Sequence, residues 1–261
     1  MTIDPEERSD LIYERVASQS QWLSIIARSA IKELTSVSNG AIYRATLSTL
    51  LRDYARNESI GELLEAIYSS WRAFLTVRPI QIKEEISALL SMVAKAGPRT
   101  VLEIGTANGG TLFLLSRVAA PSATLVSIDK PNGGFGGGYP KSLIPVFRSF
   151  AVNGQKVVLV RGDSHDGATI SSTREALDGR QVDFLFIDGD HSYEGVQSDF
   201  RIYSPLVRKG GIIALHDIVP GLTSHVGEVP RFWAEIRQSY ESHEIVKDWG
   251  QGGAGIGLLK L

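Results

Sequence analysis

The stretch Thr100–Gly110, T-V-L-E-I-G-T-A-N-G-G, decides the fold. Thr100 to Ile104 is an apolar run interrupted only by Glu103, the pattern of a strand buried on both faces. Glycines at 105, 109 and 110 let the chain turn sharply and keep a Cβ out of a ligand's way, and Thr111 to Val118 then reads as an amphipathic helix. A strand, a glycine turn and a helix start are the usual seat of a nucleotide-bearing cofactor in an open α/β sheet.

The spacing narrows the choice of cofactor. A dinucleotide fingerprint, G-x-G-x-x-G, puts its second glycine where the pyrophosphate meets the backbone, and this chain has Ala107 there. Its own pattern, from Glu103 to Gly110, is E-x-G-x-x-x-G-G. The next strand, Ala123–Ile128, ends in Asp129, whose carboxylate can accept both hydroxyls of a ribose. These residues resemble the first motif of class I S-adenosylmethionine (SAM) methyltransferases, in which the turn wraps the amino-acid part of SAM. The resemblance implies cofactor contacts from Glu103, Gly105, Thr106, Asn108, Gly109 and Asp129. The competing reading makes Glu103 and Asp129 plain strand-end carboxylates facing water.

The chain has 261 residues, 43% hydrophobic and 21% charged, with net charge −2, as expected of a soluble globular protein with a full core. No basic block points to nucleic acid or an anionic membrane. The absence of cysteine excludes disulfides, thiolate metal sites and a cysteine nucleophile. The polar N-terminus has no apolar signal core and no run is long enough to span a membrane, so the expected location is cytoplasmic.

Residues 1–79 read as a helical N-terminal region, with periodic segments at Glu6–Ser18, Gln21–Leu34, Ala41–Ala55 and Ile60–Leu75. It is expected either to cover the substrate pocket or to build a homo-oligomer interface. Trp22, Tyr43, Tyr54, Trp71 and Phe74 fall at helix-face spacing and read as packing residues. A helix over Gln81–Lys95 opens the main domain, residues 80–261. After Asp129 comes K-P-N-G-G-F-G-G-G-Y-P, whose glycines from Gly133 to Gly138 suggest either a lid over the site or a surface insertion. A third strand, Lys156–Val160, closes on R-G-D-S-H-D. Class I methyltransferases place a polar residue here against adenine, which makes Asp163 and Ser164 candidate cofactor contacts; either could equally cap the next helix, and His165 reads as solvated.

The fourth strand, V-D-F-L-F-I-D, ends at Asp188 and continues G-D-H-S-Y-E-G-V. A helix from Tyr193 to Leu206 precedes the fifth strand, I-I-A-L-H-D, ending at His216-Asp217. A helix at Pro230–Tyr240 and strands at His243–Asp248 and Gly255–Lys260 complete the chain, with Trp233 read as core. Strand and helix alternating five times from Thr100 imply a doubly wound, mostly parallel sheet of Rossmann type. Seven strands, one of them antiparallel near the C-terminus, are what the class I methyltransferase fold has.

Ligands of such sheets bind beyond the carboxyl ends of the strands. The class I resemblance implies that strands one, four and five are neighbours, so that Gly105, Asp188 and His216-Asp217 should converge there. The segments F-I-D-G-D-H-S-Y-E-G-V and G-G-I-I-A-L-H-D resemble the metal-dependent O-methyltransferases related to the catechol enzymes, especially the branch of macrolide-sugar O-methyltransferases and cephalosporin hydroxylase proteins. That resemblance, over residues 80 to 261, implies Asp188 and Asp217 as ligands of a divalent cation, Mg or Mn, and His191 as general base. Asp188 also borders the expected cofactor seat. His216 stands where the family carries a carboxylate, and as an imidazole ligand it suits Mn, Fe or Zn better than Mg. The activity implied is transfer of a methyl group to a hydroxyl of a small molecule, a sugar or a phenol. Alternatives are a metal-independent methyltransferase, a nicotinamide-dependent oxidoreductase, which Ala107 opposes, and a non-catalytic SAM-binding scaffold.

Overall fold

A computed structural model of the chain describes residues 39–57, 59–131 and 138–261. The helices expected at Glu6–Ser18 and Gln21–Leu34, Trp22, and the glycine-rich loop up to Gly138 lie outside the described residues, as does the side chain of Tyr54. Among the described residues there are seven strands: β1 (Thr100–Ile104), β2 (Thr124–Asp129), β3 (Lys156–Arg161), β4 (Val182–Ile187), β5 (Val207–His216), β6 (Glu241–Ile245) and β7 (Ile256–Lys260); β5 starts five residues before the expected Ile212, and β6, a mostly polar edge strand, lies two to three residues before the expected His243–Asp248. They form one sheet in the order β3-β2-β1-β4-β5-β7-β6. Strands β1 to β5 pair in parallel, and β7 runs antiparallel to both β5 and β6. The strand order reverses between β1 and β4, the switch point at which such sheets open a ligand crevice.

Both faces of the sheet are covered, which is why its central strands read as continuous apolar runs rather than alternating ones. Val101 enters one hydrophobic cluster with residues of α1 (Asn39–Asn57), α2 (Ile60–Ser69), α3 (Trp71–Leu75), α4 (Lys83–Ala96), α5 (Gly110–Val118) and α6 (Ile144–Arg148). Its neighbour Leu102 enters the other, with residues of α7 (Gly167–Leu177), α8 (Tyr193–Tyr203) and α9 (Val229–Ile236). Residues Gly40–Leu261 make one compact unit, and among the described residues no helix is long and apolar enough to cross a membrane.

Three further expectations shift in detail. The segment Ile60–Leu75 is two helices, because Ser70 is extended and its Oγ accepts the Ala73 N–H to start α3. Helix α5 is not amphipathic in use: Gly110 to Ser116 are all buried, because the helix is sandwiched between the sheet and the N-terminal helices. Trp71 is 67% exposed rather than packed, whereas Tyr43 and Trp233 are core residues at 2%.

Candidate functional site

The glycine turn is shaped by close approach. Gly105 has φ +98°, and a Cβ on it would lie 1.8 Å from the Asp188 carbonyl oxygen, so the tips of β1 and β4 meet with no room for a side chain. Ala107 takes φ +44°, an uncommon left-handed conformation for a residue with a Cβ, and aims its N–H at Asp129 Oδ2. Asn108 faces the N-terminal helices: its Nδ2 donates to the carbonyls of Thr76 (2.9 Å) and Arg78 (2.7 Å). The Tyr43 hydroxyl donates to the Asn108 carbonyl at 2.8 Å. The turn is thereby tied to the link between α3 and α4.

Neither carboxylate at this end faces water. Asp129 is buried, and besides Ala107 it accepts the Gly138 N–H on Oδ1. Glu103 is wholly buried; Ser127 Oγ donates to its Oε2 and in turn meets Thr106 Oγ1 at 2.5 Å. Burial, with the nearby charges of Asp188 and Asp129, pushes the Glu103 carboxyl up to about 8 against the opposing Ser127 bond.

Beyond β3, Asp163 accepts the Lys130 ammonium on Oδ2 (2.6 Å) and the His165 N–H on Oδ1 (3.0 Å), while the buried Ser164 offers its carbonyl to the Tyr203 hydroxyl (2.7 Å). Neither side chain caps α7, whose N-cap is Asp166. His165 is not simply solvated: its Nε2 lies 3.1 Å from Asp199 Oδ1, a carboxylate that α8 delivers from beneath the loop.

The second cluster gathers where β4 and β5 end. Asp188 Oδ1 lies 3.1 Å from His216 Nδ1 and 3.5 Å from His191 Nε2. Asp217 Oδ2 lies 3.3 Å from His216 Nδ1 and 3.5 Å from His191 Nδ1. Asp217 sits at φ +63°, held by the Ala254 N–H on its Oδ1 (3.1 Å). The buried Glu85 accepts the N–H groups of Lys247 and Gly255 and so fixes the β6–β7 loop that carries Ala254. Burial alone would favour neutral groups; the opposed charges win, holding Asp188 below the usual carboxylate range and raising His216 well above, and His191 above, the usual imidazole value. His191 Nδ1 lies 2.6 Å from the His225 carbonyl, which can only accept, so Nδ1 carries the proton and Nε2 is the atom left for chemistry. Ligand atoms of Asp188, His191 and Asp217 all lie within 4.8 Å of one another, a grouping able to hold a metal ion.

Sequence reasoning missed Gln81. Its Nε2 donates to Asp188 Oδ2 (2.8 Å), and its Oε1 accepts the Thr111 hydroxyl (3.0 Å). The carboxylate sets the amide's orientation, since the reverse would oppose two acceptors. Gln81 thus links the start of α5, beside the glycine turn, to the acidic centre; no local pattern marks it. The helix that follows His191 is capped by Ser192, whose Oγ accepts the Gly195 N–H.

Residues 102–218 match a family described as a methyltransferase domain. Among curated proteins, the chain is 34% identical over 118 residues to the uncharacterized protein R132 of Acanthamoeba polyphaga mimivirus, covering 45% of this chain and 51% of that one. It is 26% identical over 142 residues to the uncharacterized protein y4gI of Sinorhizobium fredii, covering 53% of this chain and 15% of that one. The chain therefore matches about half the length of the first and a small part of the second. Among solved structures, an O-methyltransferase from Bacillus cereus in complex with SAH aligns at TM-score 0.50 and 20% identity, covering 83% of this chain and 91% of that one. Cofactor-bound Rv0187 from MTB aligns at TM-score 0.50 and 19% identity, covering 83% and 89%. These structures share the fold.

Proposed function

We propose, from the match of residues 102–218 to a methyltransferase domain, that the chain is a SAM-dependent O-methyltransferase that acts on a small-molecule hydroxyl, of a sugar or a phenol, with the help of a divalent cation. One observation carries the reading: at the sheet's switch point a glycine turn with a buried acceptor carboxylate adjoins, across Gly105, a second centre of two carboxylates and two imidazoles. The first half suits a nucleoside cofactor and the second suits removal of a proton.

SAM, when bound, supplies a methyl group on a sulfonium leaving group. Glu103, Gly105, Thr106 and Gly109 would line its amino-acid part, Asp129 would accept its ribose hydroxyls, and Asp163 or Ser164 would meet its adenine. The remaining work is to align the acceptor oxygen and take its proton. His191 does the second: the His225 carbonyl holds Nδ1–H, the lone pair of Nε2 accepts the hydroxyl proton, and Asp188 stabilises the imidazolium formed.

The donor set fits a divalent cation, since among the described residues the two carboxylates meet imidazoles and neutral donors and no Lys or Arg. Asp188, Asp217 and His216 would hold it, and its chemistry is Lewis-acid stabilisation of a deprotonated oxygen. An imidazole among the ligands favours Mn over Mg. The mutual approach of Asp188, His191 and Asp217 favours a second reading, in which His191 is itself a ligand and His216 a supporting donor. Calorimetric titration of chelator-treated protein with Mn, then with SAM, separates them. Under the first reading His191→Ala keeps the metal heat and His216→Ala loses it; under the second the result is reversed. No metal heat in the parent chain would leave a metal-independent enzyme, and no SAM heat would remove the proposal.

A further inference from the structure

One buried carboxylate takes no part in the chemistry above. Asp199, in the middle of α8, is 0% exposed, and among the described residues no donor is aligned to hydrogen-bond either of its oxygens. A buried carboxyl group in that position needs a charge partner. Its partner is His165, with Nε2 3.1 Å from Asp199 Oδ1 and Nδ1 3.6 Å from Asp163 Oδ1. Among the described residues Asp199, first, and then Asp163 and Asp190 raise the pKa of His165 despite burial.

The same carboxylate reaches a second loop. A Cβ built on Gly189, next to Asp188, would sit 3.3 Å from Asp199 Oδ2, so the carboxylate packs directly against the backbone there. One turn further along α8 the Tyr203 hydroxyl donates to the Ser164 carbonyl at 2.7 Å. On its outer side Asp163 pairs with Lys130, the residue after Asp129. A chain of charges, Lys130–Asp163–His165–Asp199, therefore runs from the tip of β2, past the tip of β3, to the loop after β4.

We propose that His165 and Asp199 are a positioning pair for the cofactor: they hold the loop bearing Asp163 and Ser164 in register with the loop bearing Asp188, and so set the affinity for the adenosine part of SAM. The pair touches no reacting atom, and the proposal rests on SAM being the cofactor.

The test is calorimetric titration with SAM of the parent chain, His165→Gln, Asp199→Asn and the double variant, with a thermal melt of each. Each single substitution is expected to weaken SAM binding about tenfold or more, the scale of losing one charged contact. The double variant should bind no more weakly than the weaker single, since both changes remove one link. His165→Lys, which restores a cation, should recover most of the affinity. Affinities within about twofold of the parent, whatever the melting temperatures, would reduce the pair to a stabilising contact and overturn the proposal, as would losses that multiply in the double variant. Should Asp199→Asn fail to fold, His165→Gln, at a partly exposed side chain, decides alone. Absence of SAM binding in the parent chain is a different result, which removes the cofactor reading and this pair with it.

Discussion

Asp129 and Asp188 end the two strands that flank β1, yet they are held in opposite ways. Asp129 is met by backbone N–H groups, from Ala107 in the glycine turn and Gly138. Asp188 is met by side chains, Gln81, His216 and His191. Backbone donors are fixed by the turn and do not titrate, so they hold the Asp129 carboxylate in one orientation. Imidazoles gain and lose protons near neutrality and can give way to a cation. Under the proposed function, the difference would separate a site that binds from a site that exchanges charge, within one row of strand ends.

The contrast is broken most severely at Asp188. Asp188→Ala or Asp217→Ala should lower methyl transfer by roughly a thousandfold or more, the scale expected for loss of charge stabilisation at a reacting oxygen, while SAM affinity stays within a few-fold. Radiolabelled methyl transfer and calorimetry check the two halves, and an equal loss of SAM affinity would mean that the two ends are not separate. The mirror experiment, Asp129→Ala, should weaken SAM binding by about ten- to a hundredfold, the worth of hydrogen bonds to a charged acceptor, and leave the metal heat unchanged.

Glu103 sharpens the comparison because among the described residues its side chain is met by the neutral Ser127 hydroxyl. Its folded pKa of about 8 lies above the ordinary carboxylate value, so the folded state holds an extra proton in between. Stability from that proton is complete below the unfolded pKa and is lost as pH rises through about 8. Between pH 5 and 8.5 the parent chain should therefore lose on the order of 4 kcal/mol more stability than Glu103→Gln, read from urea melts at each pH. Parallel pH curves would show that the carboxyl is ionised.

Smaller effects are expected at the supports. Gln81→Ala should weaken Mn binding by about tenfold, as removal of a residue that orients a ligand commonly does, with SAM affinity unchanged. Asn108→Ala should cost about 1–3 kcal/mol of stability by removing the hydrogen bonds that its amide donates to the Thr76 and Arg78 carbonyls, and a melt would detect it.

The groups at the strand ends were legible because they follow directly on apolar runs: Asp129 after β2, Asp188 after β4, and His216 and Asp217 at the close of β5. Gln81 was not, since the sequence makes it the first residue of a helix, whereas it stands in the link before α4 and meets Asp188 across 107 residues. The same holds for Asn108, whose partners on the α3–α4 link lie 30 and 32 residues away, and for His165, whose exposed-looking R-G-D-S-H-D context conceals a buried partner on α8. Trp71 was misplaced because helix-face spacing records which residues share a stripe, not whether anything covers it.

The sequence by itself determined the seven strands, the glycine turn between β1 and α5 and the identity of the residues at each strand tip, because period, glycine placement and chain order are local properties. Only the tertiary structure decided how those residues are paired: a neutral hydroxyl chain at Glu103, backbone donors at Asp129, imidazoles and Gln81 at Asp188, and the His165–Asp199 contact. Protonation and charge depend on burial and on the nearest opposite group, and both are set by segments far apart in the chain that meet only when the sheet is assembled.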